Sequence, residues 1–183
     1  IKLTSNNSKH FVLSTVDLVR KKYYVQESHN RLEKTDRPKI QPLKSVSSKN
    51  ILKKGGTMFR FLPDYQIYDV DINKDYDELN LLFRARAVHT AAHTGLPVVY
   101  NDNIITVNNM ETFAELFLNK NQFVYTKLKG TYTWDVVVGI SDTGCYETLS
   151  IINGICVKSG THLNYIRDQV INGIKPRAER LLK

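Results

Sequence analysis

The sequence predicts a mixed α/β (α+β) chain in two units, and three observations carry that prediction. Short β-patterned runs fill the first part: Phe11-Val12-Leu13, Tyr23-Tyr24-Val25 and Thr57-Met58-Phe59-Arg60-Phe61-Leu62. A long run with apolar residues three and four apart follows, from Asp75 to His93. Beyond Gly95 and Pro97 the rhythm changes to hairpins and short strands that lead to a second long helix. A domain boundary is therefore expected at this point, with 1–95 as one domain and 96–183 as the other.

Taken in order, the two strands within Lys9–Gln26 are joined by a polar turn, Asp17 to Lys22. Glu27 to Lys54 is basic, holds Pro38, Pro42 and Ser45 to Ser48, and reads as a loop with at most a short edge strand. Gly55-Gly56 ends it, and Pro63-Asp64 stops the strand that follows. In the first long helix Tyr76, Leu79, Leu82, Phe83, Ala87 and Ala91 mark one buried face, with Asn73 or Asp75 as cap and Gly95 as terminator.

Val98-Val99-Tyr100 and Ile104 to Val107 flank a hairpin turn at Asn101-Asp102-Asn103. Met110 to Leu118 reads as a short helix, packed through Phe113, Leu116 and Phe117. Phe123–Leu128, Trp134–Ile140 and Tyr146–Val157 read as strands, the last two joined by the turn Ser141-Asp142-Thr143-Gly144. Thr161 is expected to cap a final helix with a buried stripe of Leu163, Ile166, Val170 and Ile174, and Pro176 is expected to kink it.

Length and composition limit the function. The 183 residues give room for one large or two small domains, each with a real core. With 42% hydrophobic and 24% charged residues, disorder is not the default. A net charge of +8 favours either a polyanionic partner or an ordinary basic surface. Two cysteines, Cys145 and Cys156, lack Cys-x-x-Cys spacing, which argues against a disulfide framework or zinc ribbon and fits a reducing, intracellular compartment. No run is apolar enough to span a membrane, and Ile1-Lys2-Leu3-Thr4 is neither a signal peptide nor an initiator Met, so the chain is expected to begin inside a longer protein.

Two motifs carry a resemblance to a known family. Gly56-Thr57-Met58-Phe59-Arg60-Phe61-Leu62-Pro63-Asp64 resembles a strand of the GHKL (Bergerat) ATPase domain shared by gyrase, the eukaryotic-type topoisomerases and, more loosely, heat-shock chaperones and mismatch-repair ATPases. Ser150-Ile151-Ile152-Asn153-Gly154, followed by Ser159-Gly160-Thr161-His162-Leu163-Asn164-Tyr165 and Asp168-Gln169-Val170, resembles the transducer segment of eukaryotic or viral type IIA DNA topoisomerases. Ser159 stands where that family has the first of two glycines. Weaker matches agree in order: Tyr24-Val25-Gln26, Arg84-Ala85-Arg86-Ala87, Tyr100-Asn101-Asp102 and Ser141 to Gly144. The resemblance implies the C-terminal part of a GHKL ATPase sandwich, followed by a ribosomal-protein-like βαβ transducer domain.

The resemblance also implies site residues and partners. Thr57 would lie at the floor of an adenine pocket, where a hydroxyl can both donate and accept. A β-branched strand residue is the plainer reading. Lys2 would be the last residue of a glycine-rich phosphate loop, or else simply a lysine near a chain end. The family's general base, its Mg2+-binding Asn and its phosphate-contacting transducer lysine match nothing in this chain. No catalytic residue and no metal ligand is therefore assigned here, and the chain alone is not expected to turn over ATP. The parent enzyme would use ATP and Mg2+, act as a homodimer on double-stranded DNA, and work in the nucleus or, if viral, in the host cytoplasm or virus factory.

Lys175, Arg177, Arg180 and Lys183 on the last helix, and Arg37, Lys39, Lys44, Lys49, Lys53 and Lys54 in the basic loop, are candidates to face DNA phosphates. A non-enzymatic basic nucleic-acid-binding domain, or a chaperone or mismatch-repair ATPase of the same superfamily, is the alternative.

Three other patterns carry little. Asp142-Thr143-Gly144 imitates an aspartic-protease loop, but a hairpin turn accounts for it. His89 and His93 are four apart on one helix, without the Glu of a His-Glu-x-x-His site or a third ligand. Neither cysteine has a basic neighbour in the sequence to mark a reactive thiolate.

Overall fold

The computed structural model describes residues 2–46 and 55–181. They fall into two compact units, Ile1–Asp77 and Glu78–Lys183. No helix among the described residues is long and apolar enough to cross a membrane.

The first unit is an antiparallel sheet behind one helical turn, α1 (Lys2–Asn6). Its middle strand is β1 (Ser8–Asp17), flanked by β2 (Lys22–His29) and by β5 (Gly56–Pro63). The region read as a loop holds two short edge strands, β3 (Lys34–Thr35) and β4 (Lys39–Pro42), and both pair with β2. Their polar, Pro-containing sequence hid them, because an edge strand needs no apolar face of its own.

Register sets what the sheet presents. Thr15 lies opposite both Thr57 and Tyr24, Leu13 opposite Phe59 and Gln26, and Phe11 opposite Phe61 and Ser28. These rows share one face, since alternate residues of a strand point the same way. His10, opposite His29, lies on the other face with Glu27, two residues along β2. Phe11, Ser14 and Val16 are buried, whereas Phe59 and Phe61 are exposed.

Helix α2 spans Ile72–Thr94. Its cap is Asp71 rather than Asn73 or Asp75: the Asn73 N–H donates to Asp71 Oδ1 at 3.1 Å, and the Asp71 N–H donates to Asp75 Oδ2 at 2.9 Å. At the other end Gly95 has φ of 65° and its N–H donates to Ala91 O at 2.9 Å, as the sequence predicts for a terminator. The expected buried face is a correction. Ala91 and Ala92 are buried, but Tyr76, Leu82 and Phe83 are 57%, 49% and 47% exposed. Apolar periodicity shows which face of a helix seeks a partner, not how far along the helix a partner exists.

In the second unit β6 (Val99–Tyr100) and β7 (Asn103–Ile104) form the expected hairpin, with Asn101 and Asp102 both at positive φ. Helix α3 is shorter than expected, Met110–Ala114, and starts in a reciprocal box between Asn109 and Thr112. Leu116 and Phe117 lie beyond it and are exposed. Ala92, Val107 and Phe113 make the core, with Val88, Ile105, Met110 and Ile151 packed against them.

The later strands also need correction. β8 (Phe123–Lys129) pairs with β9 (Thr133–Gly139), so β9 does not pair with the segment that follows it. The run read as one strand, Tyr146–Val157, is instead a small hairpin of β10 (Ser150–Ile152) and β11 (Ile155–Val157). Asn153-Gly154 turns it, with φ of 50° and 80°. This is an Asn-Gly hairpin signal that an apolar run on each side masked.

Helix α4 runs Thr161–Leu181 and stays helical through Pro176. Thr161 is its first helical residue, and the ladder begins at Gly160 O, which accepts from the N–H groups of Leu163 and Asn164. Gly160 thus holds the cap position, one residue before the expected Thr161, and has no side chain to cap with. Leu163, Ile166 and Val170 are half-buried, and Ile174 is exposed.

Candidate functional site

The first candidate, Thr57, sits on β5 beside the sheet's middle strand. Its Oγ1 lies 3.1 Å from Thr15 Oγ1, and the hydroxyl pair is open to solvent. In the same register row Tyr24 donates its phenol to Gln26 Oε1 at 2.6 Å, and Gln26 in turn donates to Asp36 O at 3.2 Å. Thr57 thus ends a polar row on one face of the sheet. A hydroxyl bonded once keeps a free lone pair or proton for another group.

At the far end of the same motif Asp64 holds the strand in place. Its carboxylate is 13% exposed and lies 3.5 Å from Lys9 Nζ and 4.0 Å from Arg31 Nε. The Asp64 N–H also donates to Asn7 O at 2.8 Å. The Pro-Asp ending therefore does structural work, tying β5 to the approach to β1 and to the turn after β2.

The second motif closes on itself in the other unit. His162, in the first turn of α4, places Nε2 3.0 Å from Ser150 Oγ on β10. Gly160 makes that possible: it has φ of 154°, and a Cβ there would stand 2.6 Å from His162 Cε1. One turn on, Tyr165 meets Trp134 of β9 edge to face, with ring centroids 6.4 Å apart. The spaced residues Ser150, Gly160, His162 and Tyr165 are thus the parts that join α4 to two hairpins.

No family model matches the chain. Over 179 residues, 95% of its length, it is 27% identical to DNA topoisomerase 2 of Acanthamoeba polyphaga mimivirus. It superposes over 98% of its length on the ATPase region of Saccharomyces cerevisiae topoisomerase II, with a TM-score of 0.78 and 25% identity. The ATPase and transducer domains of Balamuthia mandrillaris DNA topoisomerase II match at 0.76 with 27% identity. The homologues of this chain are type II DNA topoisomerases. The chain spans 13% of the mimivirus protein's length and 45% of the yeast structure's.

The side chain of Lys2 and all of Lys183, Lys49, Lys53 and Lys54 lie outside the described residues. Lys175, Arg177 and Arg180 are exposed on α4. At about 100° per residue Arg177 and Arg180 are close neighbours around the helix, while Lys175 lies about 200° from Arg177. Ser141–Gly144 is a turn, as expected, with Gly144 N–H donating to Ser141 O at 3.3 Å and Asp142 exposed.

Two residues that sequence reasoning set aside come together. Cys156 Sγ on β11 lies 3.0 Å from His89 Nδ1 on α2, so the cysteine has a basic partner after all. The residues are 67 apart in the chain, and no local spacing announces the pair. Burial, and next the nearby Arg86 charge, hold the His89 pKa below its usual value. The ring is therefore kept neutral, able to accept the thiol proton in a hydrogen bond. The pair borders a cavity of about 430 Å³ that Lys158 and Leu149 also line. A second cavity, of about 690 Å³, is walled by Arg84, Tyr100, Ile105, Phe113 and Phe117. Thr57 lines neither.

Proposed function

We propose that this chain supplies part of the ATP-operated gate of a type II DNA topoisomerase, coupling ATP binding and hydrolysis to passage of a DNA duplex. In this reading residues 1–95 finish the ATPase domain and 96–183 form most of the transducer, a division that falls after α2, whereas the compact units divide within it, at Asp77 and Glu78. The observation that carries the reading is the match along 98% of the chain to the yeast ATPase region. The joint of Ser150, Gly160 and His162 supports it locally, because it fixes the start of a 21-residue helix against the preceding hairpin. A long helix anchored at one end transmits a displacement along its axis, which a relay between nucleotide and DNA requires.

Under this reading Thr57 faces the adenine, and its hydroxyl partner Thr15 sets the direction of the lone pair or proton that Thr57 keeps free. Lys2 lies near the phosphates. Arg177 and Arg180, on one side of α4, face the duplex, while Lys175 projects from nearly the opposite side; none of the three makes an ion pair among the described residues, so each is free for phosphate. Two copies of the parent chain close on one another. Among the described residues the converging donor cluster is imidazole-rich, whereas Mg2+ prefers oxygen, so that cluster does not fit Mg2+. No step through the metal is assigned to these residues. The general base is not among them either, so the 183-residue chain alone is expected to leave ATP intact.

The test is strand passage by the protein that carries this segment. Supercoiled plasmid should relax in ATP and stay supercoiled when ATP is omitted. Relaxation indifferent to nucleotide would overturn the proposal.

A further inference from the structure

On the face of the first sheet opposite Thr57, three metal-ligating side chains converge. His10 of β1 lies directly opposite His29 of β2 in the register, and Glu27 is two residues from His29 on the same strand. His10 Nε2 stands 3.1 Å from Glu27 Oε2. The two imidazoles are stacked, with centroids 4.8 Å apart and planes 10° from parallel. One ligand atom from each of the three residues falls within 4.8 Å of the other two. A second carboxylate stands at the margin, Asp36 Oδ2 at 3.9 Å from His29 Nε2.

We propose that His10, Glu27 and His29 form a binding site for one divalent d-block cation of the zinc class, with Asp36 as fourth ligand or as the partner of a bound water. Ligands around a tetrahedral zinc at about 2.0–2.1 Å sit roughly 3.3 Å from one another. His10 and Glu27 already meet that spacing, and a side-chain rotation brings His29 in. A histidine–glutamate ion pair alone would need one imidazole. The second, laid parallel to the first, adds another nitrogen beside the same carboxylate.

The donor set selects the ion. Two imidazoles with carboxylates suit zinc, cobalt or nickel, whereas Ca2+ and Mg2+ want oxygen and Cu(I) wants sulfur; the unit's one sulfur, Met58, lies opposite Ser14, four residues along β1 from His10. The backbone is prepared for it: both histidines ride on paired strands, one of them the middle strand of the sheet. The turn leaving β2 is pinned as well, with Asn30 N–H donating to Lys9 O and Arg31 N–H to Ser8 O, each at 2.9 Å. All four side chains are 35–42% exposed, so an ion and its completing waters reach them from solvent. Once bound, the ion clamps β1 to β2 near the turn that carries Asn30, Arg31 and Leu32 at positive φ.

The test is titration of the whole chain with Co2+, read by its visible d–d absorption, and then displacement by Zn2+. One equivalent per chain should bind with the intense bands of a low-coordinate site, and Zn2+ should bleach them and raise the melting temperature. His10→Ala and His29→Ala should each lose the bands and the thermal shift, and Glu27→Gln should weaken both. His89→Ala/His93→Ala, which removes the other closely spaced histidines, should change neither. Circular dichroism confirms that each variant folds, and His10→Gln/His29→Gln replaces any alanine variant that does not. Weak aquo-like absorption without saturation in the wild type, or undiminished binding in the doubly substituted chain, overturns the proposal.

Discussion

His162 Nε2 and Ser150 Oγ lie 3.0 Å apart, and through that bond the start of the last helix is fixed to the hairpin before it. Neither residue is fully exposed, so the bond is only partly replaced by water when broken. Ser150→Ala is expected to cost about 1 kcal/mol in a denaturant melt. Gly160→Ala should cost more, on the order of 1–3 kcal/mol, because its Cβ would displace the His162 ring at a φ few side chains adopt. The two effects should be coupled. In Gly160→Ala/His162→Ala the loss should be smaller than the sum of the single losses, and strict additivity would show that the ring and the glycine act separately.

Gly139 closes β9 where another segment leaves no room. A Cβ there would stand 2.6 Å from Leu118 Cδ1 and 3.0 Å from both Gln122 O and Phe123 Cβ. Leu118 can rotate away, but a backbone carbonyl cannot. Gly139→Ala is therefore expected to destabilise by roughly 1–3 kcal/mol. Adding Leu118→Ala should restore only part of that loss. A neutral result in thermal melts would mean the β8–β9 hairpin yields more easily than its contacts imply.

The partial burial of His89, with Arg86 nearby, gives stability a pH dependence with a definite sign. Burial and Arg86 lower the His89 pKa in the folded chain, so the unfolded chain takes up the proton first, near pH 6.5. The contribution of His89 is intact above that value and is lost as pH falls through the lower, folded pKa. Melting temperature should fall as pH is lowered through about 6.5 and on through the lower, folded pKa, and in His89→Asn the fall should be smaller. Equal slopes in wild type and variant would assign the dependence to the other four histidines.

Thr57 separates a structural role from a binding role. Its bond to Thr15 is solvent-exposed, so Thr57→Val should move the melting temperature little. In the ATP-using parent protein the same change should raise the KM for ATP, and Thr57→Ser, which restores the hydroxyl, should recover most of it. Unchanged kinetics with Thr57→Val would leave the residue a strand former.

Legibility differed between the two halves of the site. The strand Gly56–Pro63 and the start of α4 could be located from their residues, because β-branched and aromatic alternation and a Gly before a helix are local signals. The joint itself was less visible. Thr161 has the chemistry of a cap, yet the chain enters the helix one residue earlier, and His162 turns back to Ser150 instead. The hairpin within Tyr146–Val157 was missed although Asn153-Gly154 marks it, since continuous apolar residues on both sides outweighed a two-residue turn signal. Edge strands β3 and β4 were nearly invisible because Lys34, Thr35, Lys39 and Gln41 carry no core-facing pattern.

What the sequence determined alone was whatever neighbours along the chain decide: where strands and helices form, where Gly95 ends a helix, and which residues of the two motifs lie in order. Only the tertiary structure decided the pairings His10–His29–Glu27, His89–Cys156 and Ser150–His162, and how much of each apolar stripe finds cover. Backbone preference acts within a few residues, whereas a side-chain encounter depends on the register and packing of strands brought together across many tens of residues.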